Sequence, residues 1–250
     1  MSTTTDVLIT GASRGLGREL VAQYLARPHY TVIAALRDVE SPSAQFLLNL
    51  PAGEGSKVVL VKIESTSTTD PSEAAKQLEA QGITKLDIII ANAGIVGKQG
   101  PVESIHPEEV AEVYLVNAVG PALLFMGLRP LLEKSQSPKW LSMSSSVASI
   151  GDFEKYMSFQ MFPYNASKAA LNHFTKTIHL EYDKLVAFAV NPGFMETDMG
   201  KNAVKAYGME NPQFADVREV VKALIGLIDN ATKDNYSGKF IETDGTPIPW

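Results

Sequence analysis

Short apolar runs alternate with helix-patterned segments along the whole chain, a glycine-rich turn follows the first run directly, and the fourth run is continuously apolar. Together these predict an α/β fold, a doubly wound parallel sheet of about seven strands with helices on both faces. Asp6 to Thr10 reads as the first strand, and Gly15 to Ala26 places Leu16, Leu20, Val21, Ala22 and Leu25 at helical spacing. Tyr30 to Leu36 is the next strand, Ser43 to Leu50 a short helix, and Lys57 to Ile63 the third strand. Asp70 to Gln81 then forms a helix, with Asp70 as its cap, Pro71 at the first helical position and Glu73 in the first turn. Leu86 to Ala91 is apolar throughout, as a strand covered on both faces should be. Pro107 to about Lys134 is mostly helical, with a bend or break expected at Gly120-Pro121. Lys139 to Met143 (strand), Pro163 to Asp183 (helix), Leu185 to Val190 (strand), Asp216 to Asp229 (helix) and Lys239 to Glu242 (strand) complete the series.

The 250 residues are expected to form one domain, 1–250, with no linker or internal repeat. Cysteine is absent, which excludes disulfides, thiolate catalysis and Cys-ligated metal, and no metal site is expected. The first residues lack a basic then apolar signal pattern, and no apolar run approaches the ~20 residues of a membrane span. A cytoplasmic protein with no membrane partner is the expectation. The net charge of −6 argues against nucleic-acid binding, yet four of the six arginines, Arg14, Arg18, Arg27 and Arg37, fall early, which suits a small anionic ligand.

The first turn, Thr10-Gly11-Ala12-Ser13-Arg14-Gly15-Leu16-Gly17, opens a helix whose free N–H groups and positive dipole would face a diphosphate, the Rossmann-like arrangement. Its Gly11-x-Ser13-x-Gly15 also matches the nucleophile elbow of serine hydrolases. That alternative needs several strands before the elbow and a late histidine after it. Here the turn follows the first strand, and the histidines are His29, His106, His173 and His179. At the end of the second strand an acid would bind the ribose hydroxyls of NAD, but Leu36 occupies that place and Arg37 follows. With Arg14 converging, the guanidinium forks suit a 2′-phosphate and predict NADPH/NADP+; taking Asp38 as the acid instead would predict NAD.

Tyr164 and Lys168 lie four residues apart on one helical face, and no other tyrosine has a lysine at that offset. A free tyrosine titrates near ~10, so proton exchange near neutrality asks for a shift of roughly three units, which a lysine and a cationic cofactor together are expected to provide.

With the glycine loop, Asn92-Ala93-Gly94, Asn117, Ser146, Tyr164, Lys168 and Pro192-Gly193 in this order, nearly the whole chain resembles the short-chain dehydrogenase/reductase family. The resemblance implies Tyr164 as proton donor, Lys168 as its pKa-lowering partner and ribose ligand, Ser146 as the carbonyl-orienting residue, and Asn117 in a water relay. It further implies a cofactor site of Gly11, Ser13, Arg14, Gly15, Leu16, Gly17, Arg37, Glu64, Asn92, Ala93, Gly94, Tyr164, Lys168, Pro192, Gly193 and Thr197. Ser146 best matches the motif among three adjacent serines, with Ser145 the alternative; the usual Asn-Asn-Ala-Gly reads Ala91-Asn92-Ala93-Gly94, and the serine to tyrosine interval is longer than the common one. The chain looks most like sniffer-type carbonyl reductases and fungal polyketide ketoreductases of the norsolorinic acid type, and homo-oligomers, dimer or tetramer, are implied.

The implied reaction is NADPH-dependent reduction of a ketone or aldehyde; a non-catalytic NADP(H)-sensing protein is the alternative from another class. Substrate loops are expected at about 150–163 and 194–214. Phe153, Tyr156, Met157, Phe159, Met161 and Phe162 in the first, with Phe194, Met195, Met199, Tyr207 and Met209 in the second, suit a bulky, aromatic carbonyl substrate or else simply anchor the loops.

Overall fold

A computed structural model describes residues 4–156 and 159–250. Seven parallel strands form one sheet in the order β3-β2-β1-β4-β5-β6-β7. They are β1 (Thr5–Thr10), β2 (Tyr30–Leu36), β3 (Lys57–Lys62), β4 (Ile88–Ala91), β5 (Lys139–Met143), β6 (Val186–Asn191) and β7 (Phe240–Glu242). Every crossover carries helix: α1 (Gly15–Leu25), α2 (Pro42–Leu48), α3 (Asp70–Ala80), α4 (Pro107–Tyr114), α5 (Gly120–Leu132), α6 (Phe162–Glu181), α7 (Asp198–Tyr207) and α8 (Val217–Asn230). The predicted Rossmann-like fold is the one observed.

Burial follows the pleat. In β1, Val7 and Ile9 pack on one side with Leu20, Val21, Leu224 and Ile228, while Leu8 packs on the other with Leu78, Leu128 and Trp140. Strand order reverses between β1 and β4, and the crevice outside the carboxyl ends of those strands is where a doubly wound sheet takes its ligand.

One local expectation is refined and two need correction. Gly120-Pro121 does not end the long helix but interrupts its α-helical winding: residues Leu115–Val119 form a π turn in which the Gly120 N–H donates to the Leu115 carbonyl, and this wider turn accommodates the proline that lacks an N–H. Asp70 does not cap α3; its carboxylate accepts from the Glu64 N–H at 2.9 Å and the Ser67 hydroxyl at 2.7 Å and pairs with Lys62. Burial pushes this carboxyl up, but those three donors outweigh it and hold it below its ordinary range. Asp198–Tyr207, expected to be part of a loop, is a helix with Thr197 accepting from the Gly200 N–H and Gly208 left-handed at the C-terminal end.

The continuous helix Pro107–Leu132 is, by length and composition, apolar enough to cross a membrane. Its Leu124, Phe125 and Leu128 are instead buried against the sheet, while Leu115, Val119 and Met126 are exposed.

Candidate active site

The glycine turn is held open by contacts that exclude side chains. Gly11 has φ +65, and a Cβ there would stand 2.9 Å from the Ala93 Cα; a Cβ on Gly17 would collide with the Gly11 carbonyl oxygen. Arg14 stands at the N-cap of α1 without capping it, so the first N–H groups keep the acceptor-free end that binds anions. Thr10 and Asn92 fasten the turn to the neighbouring strand: the Thr10 hydroxyl accepts from the Asn92 and Ala93 N–H groups, each at 3.0 Å, and the Asn92 amide donates to the Thr10 carbonyl at 2.9 Å. Glu64 lines a small cleft with Thr10, Ser65, Ala91 and Ala93 at the same edge. Ser13 lies in the turn and Leu16 in the first turn of α1, but no histidine is hydrogen-bonded to Ser13 among the described residues, and His179 pairs instead with Ser237.

Leu36 is buried at the end of β2, and Arg37 after it is exposed. Asp38 turns to accept from the Glu40 N–H at 2.9 Å. Arg14 reaches Asp198 at 3.1 Å, but both side chains are about two-thirds exposed or more, where such a pair holds weakly. Across the crevice, Gly193 has φ +79 and its N–H donates to Asn191, while Thr197 approaches the place of a Gly15 side chain to 3.4 Å. Uncapped N–H groups, a glycine-lined floor and an exposed arginine in the turn, Arg14, therefore fit a dinucleotide phosphate chain, with Arg37 exposed at the end of β2.

The polar cluster beside this cradle sits where β5 meets α6. Tyr164 is about nine-tenths buried and Lys168 more so. The Lys168 ammonium donates to the Met143 carbonyl at 2.7 Å and lies 5.7 Å from the Tyr164 ring centre. Burial pushes the Tyr164 phenol up to about 12, opposed by hydrogen bonding with Ser145, and burial pushes Lys168 down to about 8. The lysine alone thus does not lower the tyrosine, because burial penalises the charged form of both groups. Of the adjacent serines, Ser145 is the one whose hydrogen bonding opposes the rise at the phenol, and Ser146 opens a short 3-10 turn, Ser146–Ala148.

Asn117, in the π turn and fully buried, accepts from the Ile95 N–H at 2.9 Å and donates to the Ile95 carbonyl at 2.8 Å and to Ser167 at 3.0 Å. Gly94 lies against it: a Cβ there would be 3.2 Å from Asn117 Oδ1 and 3.4 Å from Lys168 Nζ. A polar seam missed from the sequence ties β5 to α6, with Thr175 donating to Ser142 at 2.6 Å and Ser144 to Asn172 at 2.6 Å. Asn172, Lys168 and Tyr164 recur every four residues on one face, which is the signal that would have revealed it.

Residues 5–208 match the short chain dehydrogenase family. The chain belongs to that family. This short-chain dehydrogenase is 40% identical over 249 residues to the short-chain dehydrogenase srdF of Neurospora crassa, covering 98% of both chains. It is 36% identical over 250 residues to the norsolorinic acid ketoreductase of Aspergillus parasiticus, covering 98% of this chain and 91% of that one. Among solved structures it resembles the NADPH-bound carbonyl reductase from chicken fatty liver, with a TM-score of 0.87, 28% identity and 100% coverage of each chain.

Two segments of this short-chain dehydrogenase flank the cluster and meet each other. Phe159 packs edge-on against Tyr207 with ring centres 5.4 Å apart, and Phe194 stacks on Phe214 at 5.0 Å. Met161 and Met195 are buried anchors, whereas Phe153, Phe162 and Met199 are exposed. Met157 lies outside the described residues. The turn after Ser145 is held from the far end of the chain: the Ser149 hydroxyl donates to the Pro249 carbonyl at 2.6 Å, and the Gly151 N–H to the Trp250 carbonyl at 2.9 Å.

Proposed function

We propose that this short-chain dehydrogenase is an NADPH-dependent reductase of bulky aromatic ketones, with Tyr164 as proton donor. The observation that carries this reading is the buried pair Tyr164 and Lys168, with the half-buried Ser145 beside the phenol, next to a crevice that fits a dinucleotide. NADPH supplies the hydride. Tyr164 and Ser145 meet the carbonyl oxygen, and Tyr164 protonates it as charge grows there. A phenol held near 12 is neutral at pH 7, the form a proton donor needs, and an alkoxide is basic enough to take its proton. We assign the orienting serine to Ser145 in place of Ser146 because hydrogen bonding with Ser145 opposes the rise at the phenol, while Ser146 begins the following 3-10 turn. Lys168 keeps its proton on the Met143 carbonyl while remaining next to Asn117, so in this reading it holds the nicotinamide ribose and Asn117 fixes its surroundings.

In the same reading, Gly11, Ser13, Gly15, Leu16 and Gly17 face the diphosphate, Arg14 and Arg37 the 2′-phosphate, Glu64 and Asn92 to Gly94 the adenosine side, and Pro192, Gly193 and Thr197 the nicotinamide. The engagement of Asp38 with Glu40 supports NADPH over NAD. Homo-oligomer assembly is also a proposal; exposed Leu115, Val119 and Met126 are positions it would cover, and light scattering tests it.

The test mixes purified protein with NADPH and a panel of aromatic ketones and quinones, following loss of NADPH absorbance with an ester as control. Ketone-dependent oxidation of NADPH, slower with NADH, is expected; ester hydrolysis without it would overturn the reading.

A further inference from the structure

Asp70 is the first residue of α3, yet its buried carboxylate turns back and takes hold of the loop that joins β3 to that helix. One oxygen accepts from the Glu64 N–H at 2.9 Å and pairs with Lys62 at 3.4 Å, while the other accepts from the Ser67 hydroxyl at 2.7 Å. Ser67 answers from its own side. Its hydroxyl accepts from the Asp70 N–H at 3.0 Å, and its N–H donates to the Glu64 carbonyl at 3.0 Å. Residues 64–67 are therefore closed on themselves and tied to one side chain.

The other side of this loop meets α5. A Cβ on Gly120 would stand 2.8 Å from the Ser65 carbonyl oxygen, so the missing side chain is what lets helix and loop approach this closely. Glu64 and Ser65 line the same small cleft as Pro71, the neighbour of Asp70, and as Val116 and Pro121 of the long helix. Thr10, which fastens the glycine turn, stands on its wall as well, so the cleft adjoins the phosphate cradle. Mostly apolar walls with a glutamate among them suit a flat, amino-bearing base. We propose that Asp70 is a positioning residue for the adenosine half of NADPH, setting affinity for that half by holding Glu64 and Ser65 in the shape of the cleft. It touches no reacting atom. An unfastened loop would have to be ordered at the moment of binding, and the contacts of Asp70 remove that cost beforehand. This deepens the NADPH reading above and rests on it.

The probe is adenosine 2′,5′-bisphosphate, the half of the cofactor that carries the base and the 2′-phosphate, titrated by calorimetry well below the thermal midpoint of each variant. KM for NADPH and kcat at saturating NADPH are measured in parallel with a ketone. Asp70→Asn keeps the volume but removes the charge and one acceptor, so it should weaken the bisphosphate and raise KM for NADPH by roughly tenfold each, with kcat held within about twofold. Ser67→Ala cuts the same cluster at a less buried point and should give the same split at a few-fold. A kcat loss as large as the change in KM, or unchanged bisphosphate affinity in both folded variants, would overturn the assignment. If the affinity loss appears while no ketone consumes NADPH, Asp70 keeps its role and the reductase reading fails.

Discussion

The Ser144 hydroxyl donates to Asn172 Oδ1 at 2.6 Å, with both side chains almost completely buried. This bond joins the residue before Ser145 to the helix face that carries Lys168 and Tyr164. Asn172→Leu should therefore lower kcat by roughly tenfold or more while NADPH affinity changes little, and should cost about 1–3 kcal/mol of stability because Ser144 is left unpaired. Steady-state kinetics, NADPH fluorescence titration and urea unfolding check the three parts. An equal loss of cofactor affinity would point to a general disruption instead.

Tyr164→Phe keeps the ring and its packing but removes the proton. Reductase activity should fall by ~10²-fold or more with NADPH binding retained. A variant keeping more than about a tenth of the activity would be incompatible with the proton-donor role.

Replacing each serine separately decides between neighbours. Ser145→Ala should lower kcat by about 10²-fold, since it removes a donor from the point where charge develops, whereas Ser146→Ala should stay within a few-fold. Ser13→Ala should leave ketone reduction largely intact.

The pH dependence follows from Lys168, whose ammonium burial brings down to about 8. It is charged below that value and loses its proton above it, so kcat/KM for reduction should be level through neutrality and fall as pH rises past about 8. Tyr164, pushed up to about 12, stays protonated across that range, so the alkaline limb its own deprotonation would give lies well above the one from Lys168. A profile rising from pH 7 to 9 would count against the assignment of Lys168.

Arg37→Ala should raise the KM for NADPH by roughly ten- to a hundredfold and leave that for NADH nearly unchanged, because only the 2′-phosphate needs the guanidinium. Parallel kinetics with the two cofactors make the comparison.

Most of the fold was legible because its signals are local. The glycine turn after β1, the continuously apolar β4 and the Tyr164 to Lys168 spacing each lie within a few residues. What escaped depends on geometry at longer range. Ser145 and Ser146 were both candidates in the sequence, and what separates them is backbone geometry, an extended residue against the first of a 3-10 turn, which no composition signals. The seam from Ser142 and Ser144 to Thr175 and Asn172 spans about thirty residues of sequence. Helix α7 did carry readable ends, Thr197 and Gly208, but its methionine and aromatic neighbours suggested a loop wall. Asp70 looked like a cap because its sequence is ideal for one, yet the loop bearing Glu64 offered it more donors.

The π turn at Leu115–Val119 makes the count of residues, as well as their identity, a condition for the site. An ordinary helical turn would span the same stretch with one residue fewer. Deleting a single residue there would let an ordinary turn close the same span, leaving α4 and α5 in register while removing the bulge that aims Asn117 at Ile95 and Ser167, although no side chain in the cluster had been altered. Such a deletion should thus spare the fold and cost activity, while point substitutions on the exposed face of this helix are tolerated.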